Sequence, residues 1–536
     1  MWLLATLGLR PLLLPDEGRY AEVAREMLAG NALVPLLNGL PFFHKPPLLY
    51  WIDIGAMRVF GLNAFAARIG PALGAWVMGA ALYFGLRYWS GKRSAAIGLL
   101  VLATCPLYFL SAQYVNHDML VAALITVAIL AFARALERAP HMHLGWLVGA
   151  WAACALAMLA KGLIGFVLPA LVIGPWLLWQ GRWRDMLRLL HPLGLLVAAL
   201  IAAPWFVVTQ AGYPGFYDYF FMEQQFRRFA QSSFNNVQPS WFFLLVLPLT
   251  TLPWSVRLPQ TLRGLWLART ASALRLLGWQ READVTPPLV PQPHVPATRL
   301  SASQWPAQAT HRIGPESEAS RSLSPGLFGD PQNLLYAWWV VAVVLFFSLP
   351  SSKLVGYVLP ALVPWCALLA RTLEGAVVRM RNVLAGIAIA LCLGAVLALT
   401  WQQPRGDRAI ANTLAAHLQP TDRVVMLETY PYDLPFHARL TQPVVVLSDW
   451  SDPNLPRRDN WRKELFDAAR FDPKGGAATL LLPGALRSMA CSGEIGTLWV
   501  LARERDAKAL NVVSGMEPVM ARDGLGLWKA PLRACP

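Results

Sequence analysis

Two adjacent carboxylates, Asp16 and Glu17, lie in the stretch "LPDEGRYAEVAREML", directly after an apolar run. Asp16 can cap the following helix through its carboxylate, and Glu17 in the first turn would favour the helix dipole. Carboxylates can also act as general bases or position an acceptor group. The local sequence leaves the structural and the catalytic interpretation open.

Other ionisable side chains lie near the ends of apolar runs. Ionisable groups at membrane depth are costly and usually face an interior cavity. A single interfacial Lys or Arg most often extends to lipid phosphates, but four basic positions on the outer side favour an anionic ligand. The residues are His44 and Lys45 in "FFHKPPLLYW", Asp118 in "YVNHDM", Lys161 in "LAKGL", Arg228 in "FFMEQQFRRF", and Lys353 and Tyr357 in "LPSSKLVGYVLP".

This set of side chains suits the chemistry of a lipid-linked sugar phosphate. Such a lipid presents its phosphate at headgroup level, where Lys and Arg can neutralise it as it leaves. A carboxylate can position or deprotonate an acceptor hydroxyl. A transporter would instead need ionisable groups near the middle of the membrane, in broken helices. Because the charges lie at the ends of the apolar runs, transport is disfavoured.

The composition is that of a polytopic membrane protein. The chain has 536 residues, of which 56% are hydrophobic and 14% charged, and its mean hydropathy is +0.42. A soluble globular protein is excluded by this composition. The net charge of +15 follows from arginines in loops on one side, as the positive-inside rule predicts. Nucleic-acid binding is therefore not expected.

The hydropathy pattern predicts an all-α membrane domain with about 11–13 transmembrane helices. The first apolar run would reach only about 21 Å, against a bilayer core of about 30 Å, which suggests a start codon placed too late. Basic loops follow every even-numbered span and are therefore cytoplasmic. The candidate spans are 1–14, 64–86, 94–112, 119–134, 144–160, 162–180, 193–209, 241–258, 333–349, 354–370 and 383–402.

We predict two domains, a transmembrane domain at 1–402 and a C-terminal domain at 403–536. Three regions lie outside the predicted bundle of transmembrane helices, two of them within the first domain. Residues 15–63 form an amphipathic loop on the outer side, and the Pro-, Ser- and Ala-rich segment 270–332 is predicted to be a disordered cytoplasmic insert. Residues 403–536 alternate helices with short apolar strands at "RVVMLE", "PVVVLS", "ATLLLPG" and "TLWVLAR", which predicts a small α/β domain on the outer side. Cys491 and Cys535 in this domain could pair in an oxidising compartment.

Six of these motifs, in this order, resemble the bacterial lipid A 4-amino-4-deoxy-L-arabinose transferases (ArnT). These enzymes belong to the superfamily of dolichyl-phosphate-mannose protein mannosyltransferases and have the GT-C glycosyltransferase fold. The resemblance covers residues 12–372, without the insert. The motifs are "PDEGRYAEVAREML", "FFHKPPLLYW", "AKGLIGFVLPALVIGPWLLW", "FFMEQQFRRF", "LPW" and "LFFSLPSSKLVGYVLP".

The resemblance implies roles for the residues that match these motifs. The candidate catalytic carboxylates are Asp16, Asp118 and Glu17, with Asp16 nearest the reaction centre. The candidate donor-phosphate ligands are Lys45, Arg228, Lys353, Tyr357 and Lys161.

Two departures from the family pattern concern metal binding and the sugar. Arabinose transferases often carry a glutamate before the lysine of the "KPP" motif, where this chain has His44. They often carry Glu-His before the "RF" arginine, where this chain has Gln224 and Gln225. His44 is the only strong metal ligand left, beside Glu223, so no metal or other cofactor is expected. The identity of the sugar stays open.

The resemblance implies an enzyme of the bacterial inner membrane with a periplasmic C-terminal domain. It would transfer one sugar, with inversion, from undecaprenyl phosphate to lipid A, among membrane lipids. An alternative is a glycosyltransferase that modifies a protein or another surface glycan. A lipid-linked sugar flippase and a non-catalytic membrane scaffold are alternatives of another class. A flippase should tolerate the loss of Asp16 better than the loss of charges along its lining, and a scaffold should tolerate the loss of Asp16 and of Lys45.

Overall fold

The computed structural model is mostly helical, with a mixed β-sheet near the C-terminus. The described residues of 1–258 and 335–536 form one compact unit. Apart from its last two residues, the predicted insert at 270–332 lies outside the described residues, as do Arg228 and Cys535. The structure describes residues 2–137, 141–227, 236–260, 262–263, 331–402, 406–510 and 513–532.

Long apolar helices, interspersed with shorter helices, make up most of the chain before the sheet begins. The helices are α1 (Asp16–Ala29), α2 (Leu48–Phe60), α3 (Ala64–Ala67), α4 (Ile69–Trp89), α5 (Lys92–Ala103), α6 (Pro106–Ser111), α7 (His117–Ala135), α8 (Leu144–Lys161), α9 (Ile164–Trp179), α10 (Trp183–Leu189), α11 (Pro192–Gly212), α12 (Phe242–Thr250), α13 (Pro331–Ser348), α14 (Leu359–Glu374), α15 (Val378–Gln402), α16 (Gly406–His417), α17 (Asp433–Ala438), α18 (Trp461–Ala469), α19 (Pro473–Thr479), α20 (Ala485–Ala490) and α21 (Glu504–Ala509). A π-helix covers Asp218–Arg227, and 3₁₀-helices cover Trp254–Arg257, Val355–Val358 and Leu455–Arg457. The strands are β1 (Leu36–Leu37), β2 (Leu40–Pro41), β3 (Arg423–Leu427), β4 (Val445–Leu447), β5 (Leu480–Leu481), β6 (Thr497–Arg503), β7 (Glu517–Arg522) and β8 (Leu525–Pro531).

Seven helices of the described residues are long and apolar enough to cross a membrane, or eight if one bent pair counts as a single span. This confirms the prediction of a multi-pass membrane protein. The seven are Ile69–Trp89, His117–Ala135, Leu144–Lys161, Pro192–Gly212, Pro331–Ser348, Val355–Glu374 and Val378–Trp401.

Within the described residues, seven or eight helices are long enough to count as single spans, fewer than the predicted 11–13, and several of the predicted apolar runs are broken. Residues 2–15 contain turns and bends, so the predicted helical span at 1–14 is wrong. The run 94–112 is divided into α5 and α6 because Pro106 lacks an N–H and starts a new helix. The run 241–258 bends by 108°. Apolar length alone could not reveal these breaks.

Helix α1 is the helix expected after the first apolar run, and it ends at Gly30. Pro15 occupies the N-cap position, where no side chain accepts a capping hydrogen bond. The prediction that Asp16 caps this helix is therefore wrong. Its carboxylate lies in the first turn instead, where it is available to other partners.

Both faces of α1 are buried. The apolar face packs in a hydrophobic core with α2 and the C-terminal domain. On the polar face Glu22 and Arg25 form an ion pair at 2.6 Å, and Arg25 donates to the carbonyl of Leu440 at 2.6 Å. Asn38, between β1 and β2, exchanges two hydrogen bonds with the backbone of Val444. The N-terminal segment is thereby joined firmly to the C-terminal domain.

The C-terminal domain is α/β, as predicted. Its six strands follow the order β5-β4-β3-β6-β8-β7, in which β5, β4, β3 and β6 are parallel and β8 is antiparallel to both of its neighbours. The predicted strands correspond to β3, β4, β5 and β6. The β7–β8 hairpin was not predicted, although Asp523 and Gly524, both with positive φ, form the Asp-Gly turn that marks a hairpin.

We expect stability to fall as the pH rises from about 5 to 8, because of Glu26. Burial, followed by the nearby Glu22 carboxylate, raises the pKa of Glu26 to about 8. The unfolded chain ionises Glu26 near its ordinary pKa of about 4.3, so the folded state binds an extra proton between these two values. The loss is at most about 1.4 kcal/mol per pH unit and levels off above pH 8.

Thermal unfolding in detergent between pH 5 and 9 measures this effect. Glu26→Gln, which cannot ionise, should flatten the dependence in this window, and an equally steep curve for this variant would assign the effect to another group.

Candidate active site

A cavity of about 530 Å³ lies where the ends of α7 and α8 meet α1 and the C-terminal domain. Its walls come from the start of α1, residues 44–45, the first turn of α7, the end of α8, Tyr357 and residues 459–464. Five of the eight predicted catalytic and phosphate-binding residues line it. They are Asp16, Lys45, Asp118, Lys161 and Tyr357, and His44 lines it with them.

Asp16 is held at the cavity wall by two neighbours. Its side chain forms an ion pair with Arg19, one turn further along α1, and accepts a hydrogen bond from the Tyr114 hydroxyl at 3.1 Å. The side chain keeps 32% of its surface exposed. Asp16 is therefore oriented by its neighbours and accessible to a molecule in the cavity.

Arg19 connects α1 to the C-terminal domain across the cavity. Its guanidinium pairs with Asp16 and with Glu464 of α18, and lies 4.9 Å from the Tyr20 ring centroid. Burial alone would lower the pKa of Arg19, but Glu464 and other nearby groups raise it well above its usual value. The guanidinium thus stays charged inside the protein.

Asp118 and Lys161 also line the cavity, where they form an ion pair with each other. Asn116 caps α7 by accepting from the Asp118 N–H at 2.8 Å, which sets Asp118 in the first turn. Lys161 is the last residue of α8, and Gly162, with a φ of 112°, turns the chain directly after it. The Lys161 ammonium lies 4.6 Å from the centroid of the Tyr357 ring. This cation is therefore held by both a carboxylate and an aromatic face.

Gly356 makes room for the Asp118 carboxylate. A Cβ at position 356 would come within 2.5 Å of Asp118 Oδ2. We expect Gly356→Ala to displace Asp118 from Lys161 and to reduce the sugar transfer that the sequence resemblance implies by about tenfold or more, which is about 1.4 kcal/mol in the barrier. Gly375→Ala is the matched control, since a Cβ there meets no atom within 4 Å. Initial rates with purified protein measure both, and equal rates would show that Asp118 does not need this position.

Glu17 lies outside the cavity. It is fully buried and forms ion pairs with Arg10 and with Arg68, the latter at 2.8 Å. It also accepts from the backbone N–H groups of Leu13 at 2.8 Å and Val115 at 3.0 Å. Burial alone would raise the pKa of Glu17, but the two arginines hold it below its usual value. This environment is that of a structural ion pair.

The structure does not bring Lys353 to the cavity wall either. Lys353 is 4% exposed, and its ammonium donates to the carbonyls of Pro350 and Gln238, at 2.5 and 2.9 Å. Its contacts close the loop before Tyr357 and so position that ring. The phosphate-binding role of Lys353 stays a prediction, and that of Arg228 lies outside the described residues.

His44 lines the cavity and stacks on Phe42 at 4.3 Å between ring centroids. Within the described ranges there is no group of three or more His, Cys, Asp or Glu side chains that could hold a metal ion. Glu223 instead contacts two guanidinium groups, Arg227 at 3.7 Å and Arg470 at 3.6 Å. The absence of a bound metal stays a prediction.

Several cavity residues were not predicted from the sequence. Asp459, Asn460, Trp461 and Glu464 come from the C-terminal domain. Asn460 caps α18. An asparagine at this position predicts the start of a helix, but it does not indicate that the residue lines a cavity. His117 is 2% exposed and lines the cavity, and neither ring nitrogen has a hydrogen-bond partner in the part of the chain that the structure describes.

Comparison with known proteins shows which family the chain is similar to. The profile of the dolichyl-phosphate-mannose-protein mannosyltransferase family matches residues 12–220. An undecaprenyl phosphate-alpha-4-amino-4-deoxy-L-arabinose arabinosyl transferase from Pseudomonas savastanoi is 30% identical over 457 residues, which cover 76% of this chain and 85% of that protein. The chain belongs to this arabinosyl transferase family.

Other members of the arabinosyl transferase family match over a shorter part of their length. The member from Erwinia tasmaniensis is 36% identical over 285 residues, 52% of this chain and 51% of that protein. The match to the Aeromonas salmonicida member covers 57% of its length, so the chain spans about half to three fifths of these two curated relatives.

The fold agrees with that of the arabinosyl transferase family. The crystal structure of ArnT from Cupriavidus metallidurans bound to undecaprenyl phosphate superimposes with a TM-score of 0.78 at 21% identity, over all of this chain and 97% of that one. Its apo structure gives a TM-score of 0.76. The predicted GT-C membrane fold with a C-terminal α/β domain is confirmed.

Proposed function

We propose that this protein transfers a single sugar from undecaprenyl phosphate to lipid A, with inversion, and that the sugar is an amino sugar such as 4-amino-4-deoxy-L-arabinose. The observation that carries the proposal is the cavity, in which Asp16, Lys45, Asp118, Lys161 and Tyr357 meet although they lie far apart in the chain. The names of the related arabinosyl transferases support both the donor and the sugar.

The charges of the cavity support a substrate with both a phosphate and an amino group. Three cations line it, Arg19, Lys45 and Lys161, together with four carboxylates, Asp16, Asp118, Asp459 and Glu464. Phosphate oxygens pair with Lys and Arg, whereas a protonated amino sugar pairs with a carboxylate.

The transfer needs only charge placement and one displacement. The acceptor oxygen bonds to the anomeric carbon while the bond from that carbon to the phosphate oxygen of undecaprenyl phosphate breaks, which inverts the configuration. Lys45 and Lys161 neutralise the departing phosphate. Lys161 leaves its ion pair with Asp118 and pairs with the phosphate instead. A lipid A phosphate is already anionic and needs no base. With this acceptor, the role of Asp16 is to orient the Arg19 guanidinium toward the acceptor phosphate. A hydroxyl acceptor would require Asp16 as the base.

The proposal places the protein in the bacterial inner membrane, with the cavity and the C-terminal domain in the periplasm. The predicted basic loops support this orientation, because they follow the even-numbered spans and retain positive charge on the cytoplasmic side. The undecaprenyl chain then enters between the helices from the outer leaflet.

Mass spectrometry of lipid A, with and without this gene, tests the function. We expect lipid A to carry one added amino sugar only when the gene is intact, and Asp16→Asn and Lys45→Met to abolish this species while still reaching the membrane. Unchanged lipid A would contradict the proposed acceptor and direct the search to proteins or other glycans. Continued modification in both variants would contradict the proposed site.

A further inference from the structure

A second groove adjoins the cavity on the side of the C-terminal domain. It has a volume of about 930 Å³ and lies between the start of α1, residues 429–432, Trp461 and the β6–α21 and β7–β8 connections. Pro15, Tyr432 and Trp461 line both this groove and the cavity. A molecule in the groove can therefore reach the cavity beside Asp16.

None of the described donor-phosphate candidates lines the groove. Lys161 and Tyr357 come from the membrane helices and do not line the groove. The groove is reached over Pro15, the residue before Asp16 in the chain. Two substrates could thus bind at once, one from the membrane side and one from the domain side, and meet at Asp16.

The side chains of the groove suit a phosphorylated saccharide. Arg503, Arg505 and Lys508 line it, against the carboxylates of Glu504 and Asp523. Arg505 contacts Asp506 at 3.2 Å, but Arg503 and Lys508 form no ion pair within the described residues. Two cations therefore remain available to phosphate oxygens.

The aromatic residues at the junction provide apolar surface for sugar rings. Trp461 packs edge-on against Trp450, with ring centroids 6.1 Å apart, and Tyr432 packs edge-on against Tyr430 at 5.5 Å. Binding sites commonly combine such aromatic surface with a few convergent polar groups. Here Asn460, beside Trp461 in the chain, lines the adjoining cavity.

The cations of the groove are placed by a rigid scaffold. Arg503 ends β6, an interior strand of the sheet, where it pairs with Leu525 of β8. Helix α21, which carries Arg505 and Lys508, begins directly after it. Groups on strands and helices hold a fixed geometry better than groups on loops.

We propose that this groove binds the phosphorylated saccharide headgroup of the acceptor and guides it to Asp16. This inference rests on the proposed function, since it assigns the second substrate of that reaction. It gives the C-terminal domain a direct part in acceptor recognition.

A paired charge reversal in the full-length protein tests the groove. We expect Arg503→Glu with Lys508→Glu to raise the KM for lipid A at least tenfold and to leave the KM for the donor unchanged. Lys474→Glu with Arg487→Glu is the matched control, because these residues carry the same charge on the same domain and line neither the groove nor the cavity. An unchanged KM for lipid A, or an equal rise in the control, would overturn the inference.

Direct binding separates this inference from the proposed function. Wild-type protein in detergent would be titrated with lipid A and with inorganic phosphate, and the paired variants likewise. Weaker lipid A binding in the groove variant alone supports the groove even if no sugar transfer to lipid A is found. Equal lipid A affinity in all three proteins overturns it even if transfer occurs. Phosphate that competes with lipid A only at far higher concentration supports recognition of the whole headgroup, and equal affinities would overturn it.

Discussion

Replacing Glu17 with glutamine is expected to destabilise the folded protein by about 3–5 kcal/mol, the usual cost of breaking a buried ion pair. Arg10 and Arg68 both lie against this carboxylate and are almost or fully buried themselves. Without the charge of Glu17, two guanidinium groups would remain inside the protein without an anionic partner. Thermal unfolding in detergent should show a transition at a much lower temperature, or no folded protein.

Asp16→Asn is the matched comparison, because it changes the neighbouring carboxylate in the same way. Its side chain is 32% exposed, so the fold should persist while sugar transfer is lost. The two variants would thus distinguish the roles of the two adjacent acids, Glu17 being needed for folding and Asp16 for the reaction. If Glu17→Gln unfolded at the wild-type temperature and yet lost transfer, Glu17 would belong to the catalytic residues after all.

Lys161→Met is expected to reduce kcat/KM for sugar transfer by about 100- to 1,000-fold, the range seen when one group that stabilises developing negative charge is removed. Lys161 is the cation that Asp118 and the Tyr357 ring hold at the cavity wall. Its loss removes a positive charge from the departing phosphate and also leaves Asp118 unneutralised. Transfer rates at several donor concentrations measure the effect.

The double variant Lys161→Met with Asp118→Asn distinguishes these two causes. It removes both charges, so that no unpaired carboxylate remains in the cavity. We expect the double variant to stay far below wild-type activity, because the phosphate still lacks its cation. Recovery to the wild-type rate would mean that Lys161 serves only to neutralise Asp118.

Much of the candidate site could be predicted because its residues are chemically conspicuous. Asp16, Lys45, Asp118 and Lys161 are ionisable groups beside long apolar runs, and burying such groups without a function is costly. All four line one cavity in the structure. These residues could be recognised because burying a charged group costs free energy, and the sequence shows which charged groups lie beside apolar runs without any knowledge of contacts.

The same reasoning could not separate Glu17 from Asp16. Both are acids in the first turn of α1, and no local feature distinguishes them. Glu17 points to two arginines that lie before and after it in the chain, whereas Asp16 faces the cavity. Only the packing of three separate segments determines which acid is enclosed and which is accessible.

By itself, the sequence determined the class of protein, the helix after the first apolar run, the short strands and helices of the C-terminal domain and the types of residue at the site. These properties depend on hydrophobicity and on neighbours a few positions away. The tertiary structure alone decided which helices reach spanning length, which acid is buried, and that the C-terminal domain closes the cavity. The Arg19–Glu464 ion pair, between residues 445 positions apart, shows the reason. Contacts over such separations follow from how all the segments pack together, and no local pattern records them.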